Sequence, residues 1–369
     1  MKYSFVCPVC GSAYPGNLPL WRCNCGSYLD LDFLPALDRE SMPQGDNFWK
    51  YSQILPLENP QKANYFNEGF TPMVKMVYSG IDFFAKMDFL LPTGSFKDRG
   101  AAVMIGKCKE LGVEKIVEDS SGNAACAVAA YCRRAGIKAN IYMPAGNSTG
   151  KSIQAGAYGA ILHRVKGSRT DCANAALVAA GKSYYAAHAW NPFFLHGTKT
   201  IIYEISEQMQ WKIPDYIFIP VGSGTMLLGI YLGLKELKNA GIIDRFPKLV
   251  AVQSNRCSPL KNYIEGIETI VPDKSSIAEG IAIQKPVRLK QIIEAVTLSK
   301  GDFVTVDDID IVEALKASAL QGVYIEPTSA CAIAALSQYK GKITKKEVVV
   351  VPLTGSGLKT SAAISSLLN

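Results

Sequence analysis

No run of basic residues longer than a pair, such as Arg133-Arg134 or Lys345-Lys346, occurs in this 369-residue chain, although Lys and Arg number 39 against 32 Asp and Glu. A nucleic-acid groove requires a clustered patch, so a nucleic-acid partner is not expected. The scattered net charge of +7 reads either as a mild attraction for anionic small molecules or as a solvated basic surface. A secretory signal is not expected either, since Met1–Tyr14 lacks an apolar core and a small-residue cleavage site. The uncharged stretch Tyr216–Leu234 is long enough to span a bilayer, but Pro220 and four glycines divide it into strand, loop and helix, so no membrane partner is expected. Six of the ten cysteines (Cys108, Cys126, Cys132, Cys172, Cys257, Cys331) sit singly. They fit free thiols in a reducing cytoplasm better than a disulfide framework, and a cytoplasmic location is expected. There is no internal repeat and no low-complexity linker.

What is present is apolar material for a large core. Hydrophobic types make up 48% and charged types 19% of the chain, and the length suggests two globular units plus an appendage. From Ile81 onward, β-rich runs (Ile81–Met87, Lys115–Glu118, Ala139–Tyr142, Ala160–Arg164, Tyr216–Pro220, Leu249–Gln253, Glu347–Val351) alternate with helical patterns. The helical stretches include Phe96–Leu111, Ala124–Ala135, Ser168–Gly181, Thr198–Met209, Thr225–Lys238, Ile309–Leu320 and Ser329–Tyr339. Such alternation predicts an α/β fold with parallel sheets covered by helices on both faces. The four successive apolar positions Val348–Val351 suit a strand buried on both sides.

The first thirty or so residues read differently. Cys7-Pro8-Val9-Cys10 is followed, twelve residues on, by Cys23-Asn24-Cys25, with Gly11 and Gly26 just behind the pairs. Four thiolates so spaced suit a zinc ribbon, in which the glycines let backbone N–H groups turn toward sulfur. The second pair has one intervening residue where two are usual, and a metal-free or disulfide-bridged remnant is the alternative. Four thiolate ligands leave no open position, so any metal here would be structural.

Candidate chemistry sits where strands give way to helices, the ligand-binding edge of parallel α/β sheets. Pro92-Thr93-Gly94-Ser95-Phe96-Lys97-Asp98-Arg99-Gly100 follows a strand and opens a helix. The positive potential of the first helical turn lowers a lysine pKa and favours Schiff-base formation at Lys97; alone, such a Ser-x-Lys is more often a solvated cap. Ser120-Ser121-Gly122-Asn123 repeats the arrangement before the small-residue stretch Ala124–Ala130, with an ordinary N-cap as the plainer reading. Pro220-Val221-Gly222-Ser223-Gly224-Thr225 is a glycine-rich turn into a helix, suited to a phosphate but similar to many tight turns. Val351-Pro352-Leu353-Thr354-Gly355-Ser356-Gly357 ends a further buried strand in hydroxyls and glycines.

Together these four segments resemble the tryptophan-synthase-β-like (fold type II) pyridoxal-phosphate enzymes, and most closely the threonine synthase group. Further landmarks fall in the same order over nearly the whole chain: Phe48-Trp49-Lys50-Tyr51 through Leu55-Pro56, Glu68-Gly69-Phe70-Thr71-Pro72, Lys151, Gln154, Tyr158-Gly159-Ala160, Asn191-Pro192, Gly197-Thr198-Lys199-Thr200 and Glu326-Pro327-Thr328-Ser329-Ala330. The cysteine ribbon is similar to one preceding many threonine synthases. The resemblance implies pyridoxal 5'-phosphate as cofactor, bound covalently by Lys97, the catalytic residue. It also implies that Asn123 holds the ring 3'-oxygen, that Gly222, Ser223, Gly224 and Thr225 cradle the phosphate, and that Thr354 meets the pyridine nitrogen. Ser120, Ser121, Lys151, Asn191 and Lys199 are implied as substrate-binding residues, and Cys7, Cys10, Cys23 and Cys25 as metal ligands. A homodimer is common in such families. The implied architecture is two three-layer α/β domains behind a zinc-ribbon-like segment at 1–32. The larger, cofactor-binding domain would comprise 33–98 and 197–369, and a smaller one, 99–196, would be inserted in it, with the cofactor in the cleft.

The chain departs from the family pattern at two positions. Phe194 stands where an Arg is usual, and Ala124 where a Thr is usual. Both are donors expected to bind a departing phosphate dianion, which His196, Lys199 and Lys151 would have to replace. His196 itself reads more readily as a structural histidine than as a base. Two catalytic readings follow for a small amino-acid substrate: conversion of O-phosphohomoserine and water to threonine and phosphate, or β-elimination or β-replacement on serine, threonine or an activated relative. A non-catalytic relative that keeps the fold is a third reading, opposed by the intact Lys97 motif.

Overall fold

The computed structural model describes residues 3–40, 42–63, 66–146, 150–167, 169–181, 183–268 and 276–368. The chain divides into two compact units, Met1–Phe70 with Lys97–Thr200, and Thr71–Phe96 with Ile201–Asn369.

In the first unit, four parallel strands lie in the spatial order Ile161–Val165, Lys138–Pro144, Lys115–Glu118, Tyr184–Tyr185. The period of two along a strand sends alternate side chains to opposite faces. Ile141 and Met143 pack on one face with Ala125, Ala129 and Ala155 from the helices Asn123–Ala135 and Gly150–Ala157. On the other face Val117 and Tyr185 pack with Ala176 of the helix Arg169–Ala180, and Tyr142 lies against the same cluster. Helix, sheet and helix layers result, as predicted. The first residue of the predicted Ser168–Gly181 helix lies outside the described residues.

The second unit holds a six-stranded sheet in the order Asp302–Val306, Lys248–Ser254, Tyr216–Pro220, Val349–Pro352, Ile81–Lys86, Met73–Tyr78. All pairings are parallel except the last, in which Met73–Tyr78 runs antiparallel to Ile81–Lys86 along the edge. Phe218, Val250 and Val351 pack on one face with the Pro327–Ala334 helix. The alternate residues Ile217, Leu249 and Ala251 are buried on the opposite side, where the Leu289–Leu298 helix meets the sheet.

The expected grouping of 33–98 with 197–369 differs from the units observed, because 33–70 associates with 97–200. The short 3-10 helices Phe48–Ile54 and Pro60–Ala63 pack on each other, and the second lies on the helix Lys97–Glu110. A Cβ on Gly106 of that helix would come within 2.6 Å of Ala63 Cβ. The N-terminal segment joins the same unit through edge-on aromatic contacts, Tyr3 and Phe5 with Phe193 and Trp21 with Tyr185 and Trp190. No sequence periodicity signals such contacts between distant segments. Among the described residues, no helix is long and apolar enough to cross a membrane.

A buried polar knot anchors the second unit. Lys86 Nζ donates to Glu204 Oε2 and to the Thr71 carbonyl, both at 2.7 Å, and to Gln208 Oε1 at 2.9 Å. Both charged side chains are fully buried, so removing one leaves the other desolvated and unpaired, at a cost of about 3–5 kcal/mol. Glu204→Ala should therefore lower stability by that order in urea unfolding. The paired change Lys86→Met with Glu204→Leu should recover most of the loss, since two apolar side chains leave no buried charge.

Candidate active site

Lys97 is the first residue of the helix Lys97–Glu110, as the strand-to-helix reading required. Its Nζ lies 5.5 Å from the centroid of the Phe194 ring. Phe194 belongs to the helix Pro192–Thr198 and reaches that position because Gly100 has no side chain: a Cβ there would fall 2.4 Å from the Phe194 ring. Phe194 is fully buried, so an apolar ring lies beside the lysine amine where the family pattern led one to expect a guanidinium.

Ser120, Ser121 and Asn123 stand at the carboxyl end of the strand Lys115–Glu118, in the same unit as Lys97. The Ser120 hydroxyl accepts the Gly122 N–H at 3.2 Å and shapes the turn, while Asn123 opens the next helix. Lys151, nearly buried, lies in the helix Gly150–Ala157 after the neighbouring strand, and its carbonyl accepts the Cys126 thiol at 3.2 Å.

Two residues expected to bind substrate have polar atoms engaged within the fold. Asn191 is fully buried, its Oδ1 accepting the Phe193 N–H at 3.0 Å and its Nδ2 donating to the Tyr184 hydroxyl at 2.7 Å. It caps the Pro192–Thr198 helix, and its polar atoms are engaged within the fold. Lys199 is also fully buried; its Nζ donates to the Ile54 carbonyl at 2.7 Å and lies over the Phe33 ring. His196 packs edge-on against Phe33, in keeping with a structural role.

In the second unit, Gly222–Thr225 and Thr354 follow adjacent parallel strands, Tyr216–Pro220 and Val349–Pro352, so both motifs emerge at one carboxyl edge. Gly224 has φ +78°, and a Cβ there would lie 2.2 Å from Ile292 Cδ1. The turn therefore needs glycine, and it presents backbone N–H groups at the start of the fifteen-residue helix Thr225–Asn239, a geometry that suits a phosphate.

Thr354 is placed by Ser329. The Ser329 Oγ accepts the N–H groups of Thr354 at 2.9 Å and Gly355 at 3.0 Å, and lies 3.0 Å from Thr354 Oγ1. Two accepted bonds use both lone pairs of a serine oxygen. Its single hydrogen then serves Thr354 Oγ1 and, at 3.4 Å, the Gly355 carbonyl. The same segment is tied to the residues ahead of the lysine: Phe96 N–H donates to the Thr354 carbonyl and Ser356 N–H to the Gly94 carbonyl, both at 3.0 Å. The Ser95 Oγ is buried with no hydrogen-bond partner within the protein. A helix-start phosphate cradle, a threonine hydroxyl held by Ser329 and a buried hydroxyl in need of a partner fit a phosphorylated pyridine cofactor. Sequence reasoning carried Ser329 only as a landmark. His188 and Glu118, hydrogen-bonded at 3.0 Å beside Phe194, it did not single out at all.

The cysteine cluster is intact. The four Sγ atoms lie within 4.8 Å of one another, with Cys7 to Cys25 at 3.6 Å and Cys10 to Cys23 at 3.5 Å. A tetrahedron with Zn–S bonds of about 2.3 Å has edges of roughly 3.8 Å, so the spacing suits that ion. Hydrogen bonds from the Ser12 side chain and backbone bring the Cys10 thiol down to about 6, and the Tyr14 hydroxyl lowers Cys23, which favours the thiolates a metal takes. The surrounding three-stranded antiparallel sheet, with Ser4–Val6 between Ala13–Pro15 and Asp30–Asp32, carries the pairs on its turns. A separate groove of about 940 Å³, lined by Trp211, Ile243 and Arg245 among others, includes none of the predicted site residues.

A family model described as pyridoxal-phosphate dependent enzyme matches residues 65–355. The threonine synthase of Methanocaldococcus jannaschii is 35% identical over 372 residues, covering 96% of this chain and 92% of its own. That of Methanosarcina acetivorans is 34% identical over 375 residues, covering 97% and 92%. A solved fungal L-serine ammonia-lyase from Rhizomucor miehei shares the fold, with a TM-score of 0.71 at 21% identity over 80% of this chain and 96% of that one.

Ser329→Ala removes the acceptor of two buried N–H groups. Leaving such groups unpaired costs about 1–3 kcal/mol each, so the variant should melt at lower temperature than the parent without added cofactor. It should also retain added pyridoxal phosphate less tightly, measured by absorbance after dialysis.

Proposed function

The chain belongs to the pyridoxal-phosphate-dependent enzymes of fold type II, and from that premise we propose that it is a threonine synthase-like lyase that converts O-phosphohomoserine and water to threonine and phosphate. The observation that carries this reading is the 35% identity to a threonine synthase across 96% of the chain, joined to a Lys97 motif at the head of a helix.

Bound pyridoxal phosphate supplies an electron sink that eases loss of a proton from the substrate α-carbon. Lys97 would hold the cofactor and then carry protons to and from the substrate. The N–H groups of Gly222–Thr225 would bind its phosphate, and Asn123 its ring oxygen. Thr354, its hydroxyl oriented by Ser329, would donate to the pyridine nitrogen. A neutral donor keeps that nitrogen less protonated than a carboxylate partner would, which favours elimination and replacement over transamination. Ser121 and its turn would grip the substrate carboxylate.

Phe194 and Ala124 support a second reading, β-elimination or β-replacement on serine, threonine or a related amino acid. An apolar ring 5.5 Å from Lys97 Nζ offers a departing phosphate dianion no charge-assisted donor. For the cysteine cluster we propose one structural zinc, on the strength of the sulfur spacing.

Incubation with O-phosphohomoserine should release inorganic phosphate and form threonine in equal amounts, and Lys97→Ala should abolish both. No turnover of that substrate, with ketoacid formed from L-serine or L-threonine, would establish the second reading instead. Metal analysis of the purified protein should give one zinc per chain, and replacing Cys7 and Cys10 together by serine should remove it.

A further inference from the structure

Glu118 and His188 form a buried pair that none of the roles above uses. Glu118 ends the strand Lys115–Glu118, and His188 lies three residues beyond the strand Tyr184–Tyr185, which pairs with it in parallel. The N–H of Ala186 continues that ladder to the Val117 carbonyl at 2.8 Å. Both side chains thus arrive at one carboxyl edge, from which the Ser120–Asn123 turn also departs. His188 Nδ1 lies 3.0 Å from Glu118 Oε1, with side-chain exposures of 11% and 0% respectively, so what access the pair retains belongs to the imidazole. The His188 ring centroid is 5.6 Å from that of Phe194, and Lys97 Nζ is 5.5 Å from the same ring. Imidazole and lysine amine are therefore no more than about 11 Å apart, within one compact unit.

We propose that His188, oriented by Glu118, is the general acid that protonates the oxygen leaving group. The proposal deepens the functional reading above and rests on it, in that it requires an enzyme that expels an oxygen from a small amino acid. Such a substrate carries its departing oxygen two or three bonds from the α-carbon, roughly 2.5–4 Å away at about 1.5 Å per bond and tetrahedral angles. An acid acting on it must sit about 3 Å farther on, which the lysine-to-imidazole spacing accommodates. A carboxylate on Nδ1 fixes the orientation of the ring, and Nε2 is the atom that would carry the proton given to the leaving group.

The chemistry calls for such a group. Proton removal by Lys97 leaves an electron pair on carbon. That pair becomes the new C=C bond as the C–O bond breaks and its electrons depart on oxygen. A phosphate monoester dianion would then leave as PO₄³⁻ and an alcohol as hydroxide, both strong bases. The Nε2 proton converts them to HPO₄²⁻ or water, and the neutral imidazole regains a proton from solvent. The plainer alternative is a satisfied core pair that only braces the sheet edge.

Leaving-group dependence separates the two. O-phosphohomoserine or L-serine, whichever the holoenzyme turns over, is compared with its chloride counterpart, 2-amino-4-chlorobutanoate or β-chloro-L-alanine, since chloride departs without a proton. His188→Gln should slow the oxygen substrate by roughly 10²-fold and the chloride by no more than a few-fold, with the cofactor absorbance retained. Glu118→Gln, which keeps the hydrogen-bonding shape, should show the same selectivity to a smaller degree. Equal losses on both substrates, or no loss on either, would overturn the assignment of His188 while leaving the functional reading intact. A parent enzyme that expels no oxygen group from O-phosphohomoserine, L-serine or L-threonine would instead overturn that reading, and the acid assignment with it.

Discussion

The close approach of two helices through a missing side chain governs the surroundings of Lys97. Gly100 lies one turn beyond the lysine, and the ring of Phe194 occupies the space a Cβ would take. At the next contact, a Cβ on Gly197 would fall 2.1 Å from the Arg99 carbonyl, so both helices meet through glycine. Close packing of this kind transmits displacement instead of absorbing it. The first turn of the Lys97 helix is accordingly set by the Pro192–Thr198 helix, which Asn191 caps and Phe193 secures to Tyr3 and Phe5 of the N-terminal segment. The ribbon thereby has a mechanical connection to the lysine pedestal without touching the chemistry.

Much of the architecture was legible because buried parallel strands announce themselves. Tyr216–Pro220 is buried at all five positions, and its run of apolar residues between turn signals needs no partner to be recognised. The Met73–Tyr78 edge strand exposes three positions outright and buries only Met76, which left too little apolar pattern to mark it. Tyr184–Tyr185 is two residues long and owes its existence to the ladder beside it. The grouping of 33–70 with the inserted segment depends on packing between distant parts of the chain, which periodicity does not encode.

At the site, the features legible in the sequence were local ones, a lysine opening a helix or a glycine with positive φ. The surroundings of residues judged by type alone were not. Asn191 and Lys199 are of the right chemistry to bind substrate, but a helix cap and a backbone carbonyl engage their polar atoms. Conversely, His188 sits amid small apolar residues with no flanking motif, and Glu118 is seventy positions away in the chain. Only the parallel register of two strands brings them together.

The distribution of charge gives the site its direction. The residue proposed to meet the ring nitrogen is Thr354, a neutral hydroxyl that lies 3.0 Å from that of Ser329. Beside Lys97 lies Phe194, which contributes a weak quadrupole and no formal charge. In the same unit, at the sheet edge, Glu118 backs His188. An enzyme arranged to store carbanion charge would place its counter-charge at the pyridine nitrogen. Here the residue proposed for that position is neutral, and a carboxylate-backed imidazole lies in the unit that carries the lysine, an order suited to expelling a group from the substrate.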